Sequence, residues 1–253
     1  MRTLHLILSC LLVCACDPLP AQNSGTVSLT QTTVAGARLH TLFAAFVEVP
    51  LNATLRGELP GCERLAEDGL CRALDCAAST SIAGPSAGTI RARVGGSELL
   101  SAERGESGAY GASGSGDAFA PGDSVTLSAT GDEVGAFEAT VVAPAALDVA
   151  LPSTIDRTAP LTLQWSASIA AEEVSISLTP PAGGTMVTCR LPASDGEVTI
   201  SPGLLGQLAT GTVAVSVSAY NASWQRPGGL AAPGDYDVLV MVAENQLGSA
   251  LVE

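Results

Sequence analysis

From residue 161 onward, apolar and polar side chains alternate one by one, and this alternation limits the chain to strands. Leu161, Leu163 and Trp165 alternate with Thr162, Gln164 and Ser166, and Val174, Ile176 and Leu178 with Ser175, Ser177 and Thr179. Val187, Cys189 and Leu191, then Val198 and Ile200, Val213, Val215 and Val217, and finally Tyr236, Val238, Val240 and Val242 continue the series. A period of two puts every apolar residue on one face of an extended chain, whereas a helix would need a period near 3.6. Turn signals separate the runs at Pro180-Pro181-Ala-Gly-Gly184, Asp195-Gly196 and Pro233-Gly234-Asp235. Several short half-buried strands with such spacing bury their apolar faces by stacking two sheets, so the reading is an all-β chain with an antiparallel β-sandwich in its C-terminal half.

The first half carries a weaker version of the same text, and a second β-rich domain is expected there. Thr26–Thr32 alternates, as do Thr89–Val94, Phe119–Ala129 and Gly135–Ala143. Ala37–Val49 fits spacing two and spacing four alike; its neighbours favour a strand ended by Pro50. Gly105–Gly116 is so rich in glycine that it reads as a surface loop. It lacks the following helix and lysine that a phosphate cradle requires. Pro152 and Pro160 mark the junction, giving a signal at 1–15, a tether at 16–24, an N-terminal β-rich domain at 25–144 and the sandwich at 145–253.

The end of the apolar N-terminal stretch is more specific. Arg2 followed by Leu4, Leu6, Ile7, Leu8, Leu11, Leu12 and Val13 has the form of an export signal too short to cross a bilayer as a stable helix. Val13-Cys14-Ala15-Cys16 resembles the lipobox of bacterial lipoproteins. That resemblance implies cleavage before Cys16, acylation of its sulfur and attachment to a membrane through lipid; the alternative is a plain secretory signal cut after Ala21. Further on, Leu161-Thr-Leu-Gln-Trp165, Ile200-Ser-Pro-Gly-Leu-Leu-Gly-Gln-Leu208 and the strands at Val213 and Val238 resemble immunoglobulin-like or fibronectin-type sandwiches. Together with Ala87-Gly-Thr-Ile90 and Phe119-Ala-Pro-Gly-Asp123 they are similar to strings in uncharacterised lipoproteins of myxobacteria and their relatives. This resemblance implies a location at the cell envelope, at the outer membrane or cell surface rather than the inner membrane. It implies no activity.

Seven cysteines fit an exported protein. Cys10 and Cys14 fall in the signal and Cys16 takes the lipid, which leaves Cys62, Cys71, Cys76 and Cys189. Four cysteines allow three pairings, and a zinc site lacks any Cys-x-x-Cys pair to support it. A tight turn at Asp68, Gly69 and Leu70 would set Cys62 opposite Cys76 and leave Cys71 for Cys189. A short helix at Glu63–Glu67, or a Cys62–Cys71 link, would remove that register.

Charge and composition exclude several function classes. Eleven basic residues, all arginine, stand against 25 acidic ones, for a net charge of −14. Such a surface repels nucleic acid and anionic lipid. Beyond the signal a single histidine, His40, remains, so common zinc and nucleophile-plus-base arrangements lack their parts. Asp117, Asp123, Asp132 and Glu133 could hold calcium, but aspartate beside glycine is first a turn former. A carboxylate pair drawn from Glu133, Glu138, Glu172 and Glu173 would make a hydrolase the third reading. No cofactor, metal or catalytic residue is expected.

Trp165 runs in phase with the core, whereas Trp224 falls in the stretch 221–235, read as a long loop. Trp224, Arg226 and Tyr220 are therefore the candidate binding patch. The expectation is a non-enzymatic binding or structural lipoprotein of the cell envelope, with a protein or glycan as its partner. The alternative is a carbohydrate- or peptide-binding module of a secreted degradative system.

Overall fold

The computed structural model describes residues 22–34, 36–49, 62–76, 84–166, 170–227 and 236–253. Cys16, its lipobox and the tether to residue 21 lie outside these residues. The chain is all-β, built as stacked, mostly antiparallel sheets. Its strands are β1 Gln22–Val34, β2 Ala37–Val49, β3 Cys62–Asp68, β4 Cys71–Cys76, β5 Ile90–Val94, β6 Ser97–Ala102, β7 Tyr110–Ser115, β8 Ser124–Ala129 and β9 Phe137–Val142. After them come β10 Thr154–Ile155, β11 Leu161–Gln164, β12 Glu173–Thr179, β13 Gly184–Pro192, β14 Glu197–Ile200, β15 Gly211–Gln225 and β16 Tyr236–Val252. A short helix, Pro202–Leu205, begins with proline, whose fixed φ and missing N–H suit a first helical turn.

One ten-stranded sheet runs β3-β4-β13-β12-β15-β16-β1-β2-β7, with β10 added beside β16. A four-stranded sheet β6-β5-β8-β9 covers one end of its inner face, and the β11–β14 pair with the short helix covers the other. Two apolar cores result. Val27, Leu29, Phe46, Ile90, Leu127 and Tyr110 belong to the first; Ile176, Val187, Leu163, Trp165, Ile200 and Leu205 belong to the second. Trp165 is core as expected, and its Nε1–H donates to the Ala193 carbonyl at 2.8 Å.

The long β15–β16 hairpin runs through both cores. Val213–Ala219 and Ala250–Val252 pack in the second, while Tyr236, Val238, Val240 and Val242 pack in the first. β16 also pairs with β1 in parallel, Val27 opposite Val240. Conversely Cys71 and Ala73, from the first half of the chain, pack in the second core. The connection after Ala143 does pass from one core to the other, but the sheet beneath it is continuous across residues 144–145.

Three local readings need correction. Gly105–Gly116 is not simply a loop, because it contains the edge strand β7. Tyr110 anchors that strand in the core, and Gly114 faces His40 so closely that a Cβ there would sit 2.3 Å from Nε2. Glycine is what this close approach demands. The chain after Asn221 is likewise not yet a loop, because β15 continues to Gln225 opposite Val238. Regular structure also starts earlier than Gly25, since Asn23 already pairs with Tyr236.

Both disulfides join the expected partners, Cys62 to Cys76 and Cys71 to Cys189. The hairpin reaches this register by a different route. Asp68 pairs directly with Cys71 across Gly69 and Leu70, and a bulge between Arg64 and Ala66 restores Cys62 opposite Cys76. Gly69 takes a positive φ of 59°, which glycine adopts without steric cost.

Candidate binding surface

Alternation along β15 sends Val213, Val215, Val217 and Ala219 inward and Tyr220, Ala222 and Trp224 outward. Cross-strand register then decides what surrounds Trp224. Trp224 lies opposite Leu239 and Ala222 opposite Met241. Leu239 and Met241 lie beside Thr26 and Ser28, which in turn face Ala45 and Phe43. Two adjacent cross-strand rows on the outer face therefore carry Trp224, Leu239, Met241 and Phe43 with small residues between them and no charged side chain. Trp224 is 64% exposed and Phe43 44%. Large apolar residues grouped on an exposed sheet face are unusual enough to mark a contact surface. At the rim, the Arg226 guanidinium meets Asp237 at 2.6 Å.

Of the three residues read as a patch, Trp224 and Arg226 fall together and Tyr220 does not. Tyr220 is buried beneath the Arg190 guanidinium, which sits 5.6 Å from its ring centre, and its hydroxyl donates to Glu173. Burial, and next the hydrogen bond to Glu173, push the phenol well above its usual range. Arg190 Nε also donates to Glu173 at 2.5 Å, so the three side chains clamp β12, β13 and β15 together. Leu239, Met241 and Phe43 join Trp224 only through cross-strand register, although the sequence carries a signal for the first two. The phase of Tyr236–Val242 opposite to Val238 and Val240 also holds large apolar residues, Leu239 and Met241, the mark of a strand with apolar groups on both faces.

On the inner face a polar belt separates the two cores. Glu244, Gln31 and His40 occupy one cross-strand row, and all three are buried. Gln31 Nε2 donates to Glu244 Oε1 at 2.5 Å, while the Gln31 carbonyl oxygen accepts from the Ala118 N–H at 2.5 Å. His40 Nδ1 donates to the Gly116 carbonyl at 3.2 Å. Beside the belt, Arg38 Nη1 meets Asp117 Oδ1 at 2.8 Å, and Gln246 bonds both backbone groups of Val149. Apolar side chains cannot close this seam because backbone from two loops crosses it and needs partners.

Burial raises the Glu244 carboxyl above its ordinary value, opposed by the hydrogen bond from Gln31 and by the charge of Arg38; Asp117 adds to the rise. A carboxyl with a raised folded value stabilises fully below the unfolded value of about 4.3 and loses that contribution as pH climbs through the folded value. Glu244→Gln keeps an acceptor for Gln31 and removes the charge. It is expected to raise Tm near pH ~7 by about 2–4 °C and to change nothing near pH ~4, as thermal scans at the two conditions would show.

Several of the carboxylates weighed for catalysis or calcium have local partners. Asp123 accepts from the Ala120 N–H at 2.8 Å and Glu133 from the Ser86 N–H at 2.7 Å. Glu172 accepts from the Ala222 N–H at 3.4 Å, and Glu138 lies 3.9 Å from Arg93. Among the described residues no three His, Cys, Asp or Glu side chains gather as a metal site would require, and no helix is long and apolar enough to cross a membrane. No protein-family model matches the chain, and no curated protein matches its sequence.

Proposed function

We propose that the chain is an exported lipoprotein, held to the cell envelope by acyl chains on Cys16 and acting there as a non-enzymatic binding or structural component. The observation that carries the proposal is the string Val13-Cys14-Ala15-Cys16 behind an apolar stretch, six residues before the first strand begins at Gln22. Two or more acyl chains give stable attachment where one gives marginal binding. A net charge of −14 offers anionic lipid no attraction, so attachment through lipid is the consistent route. Two disulfides agree with an oxidising compartment. Metabolic labelling with palmitate and the mass of the N-terminal peptide test the proposal. The expected peptide begins at acylated Cys16; one bearing an unmodified Cys16 overturns it.

One observation favours a second reading. An indole 64% exposed on a sheet face is the kind of platform on which a sugar ring or peptide side chain stacks. A carbohydrate- or peptide-binding module would bind its ligand on glycan or peptide arrays and lose that binding in Trp224→Ala.

A further inference from the structure

We infer that the outer face around Trp224 is a membrane-docking surface, which rests on the bilayer that Cys16 anchors. The inference stands on the proposed acylation together with an independent geometric fact. The chain enters the fold at the end of the sheet where the apolar face lies. Asn23 pairs with Tyr236, and three residues further along β1 Thr26 shares a cross-strand row with Leu239 and Trp224.

Reach decides whether one bilayer can serve both. Six residue steps from Cys16 to Gln22 extend at most about 20 Å, at ~3.3–3.6 Å each. Thr26 lies about 13 Å along the strand from Gln22, and Trp224 sits two strands away at ~4.8 Å per strand. At full reach the tether therefore covers the roughly 16 Å from strand start to indole. It holds this end of the sheet against the lipid and lets the face lie down on it.

Chemistry selects lipid as the occupant. Around Trp224, Leu239, Met241 and Phe43 the rows contain alanine, serine and threonine but no charge, on a chain whose net charge is −14. Contact with the headgroup and upper acyl region leaves no ion desolvated there. Indole settles at that level of a bilayer, its ring in the apolar layer and its N–H toward water. Because the anchor already confines the protein, even a weak contact becomes populated through effective concentration. The docked protein would lie with its ten-stranded sheet toward the membrane and the β6-β5-β8-β9 sheet away from it.

Tryptophan fluorescence tests this directly, since Trp165 is buried in the second core and Trp224 is exposed. The acylated full-length protein is reconstituted into phosphatidylcholine vesicles with and without brominated acyl chains, and flotation is scored in parallel. Docking is expected to shift the emission to the blue and to quench it in brominated vesicles. Trp224→Phe should still float yet lose that quenching. A protein that floats with a water-exposed Trp224 overturns docking and leaves anchoring intact, whereas one that does not float overturns both. A blue shift in dilute detergent accompanied by a doubled particle mass would assign the face to a second copy, and that too overturns the inference.

Discussion

Replacing Cys71 and Cys189 together by alanine is expected to destabilise the protein by about 4–5 kcal/mol, a fall in Tm of roughly 10–20 °C. The bond closes a span of 118 residues, and closing a longer loop removes more entropy from the unfolded chain. It also pins the β3–β4 hairpin to β13, Cys71 opposite Cys189, so that both sulfurs sit inside the second core. The Cys62–Cys76 bond spans 14 residues at the outer edge of the sheet, where Cys62 is only half-buried. Its removal should cost less and act locally. Urea titrations of the two double variants give the comparison, and equal losses would show that the long span contributes nothing beyond the short one.

Gln31→Ala is expected to destabilise by about 3–5 kcal/mol, because it strips partners from two buried groups at once. Gln31 is fully buried, and its amide serves both the Glu244 carboxylate and the Ala118 N–H. A lone buried carboxylate is costly, and the loss should therefore shrink at low pH, where Glu244 takes a proton. Adding Glu244→Leu to Gln31→Ala should recover part of the stability, since the charge disappears with its partner. The Ala118 N–H would still lack its acceptor. Chemical denaturation of the single and double variants at neutral and acidic pH measures both effects.

Much of the fold was legible because alternation is a property of neighbouring residues. Val174, Ile176 and Leu178 illustrate this, all three buried from β12, whereas in β2 the alternate phase of Leu42, Ala44 and Phe46 is the buried one. The same logic failed at Gly105–Gly116, where composition spoke for a loop and an edge strand formed. Tyr110 buries one end, and Gly114 leaves room for the His40 ring, a need that arises only once β7 lies beside β2. The Cys62–Cys76 pairing was legible although its turn was not. A two-residue turn and a bulge produce the same offset as a three-residue turn, and one pairing cannot distinguish them.

The candidate site was legible in part. Trp224 and Arg226 lie toward the same exposed end of β15, whereas Tyr220, grouped with them in the sequence, is buried. Along a strand, residues four apart are separated by about 13 Å, so nearness in sequence does not make a patch. Tyr220 answers to Arg190 and Glu173 from neighbouring strands instead.

Sequence alone determined that the chain is all-β and which residues of the regularly alternating strands, such as Val174, Ile176 and Leu178, face inward. Tertiary structure decided which strands are neighbours. Period two specifies a face but carries no information about the strand alongside, and the pairing of Thr26 with Leu239 joins parts of the chain more than two hundred residues apart. That pairing places Phe43, Met241, Leu239 and Trp224 on one surface. Long-range register, set by packing both cores at once, is the physical reason the surface could not be read from the chain in order.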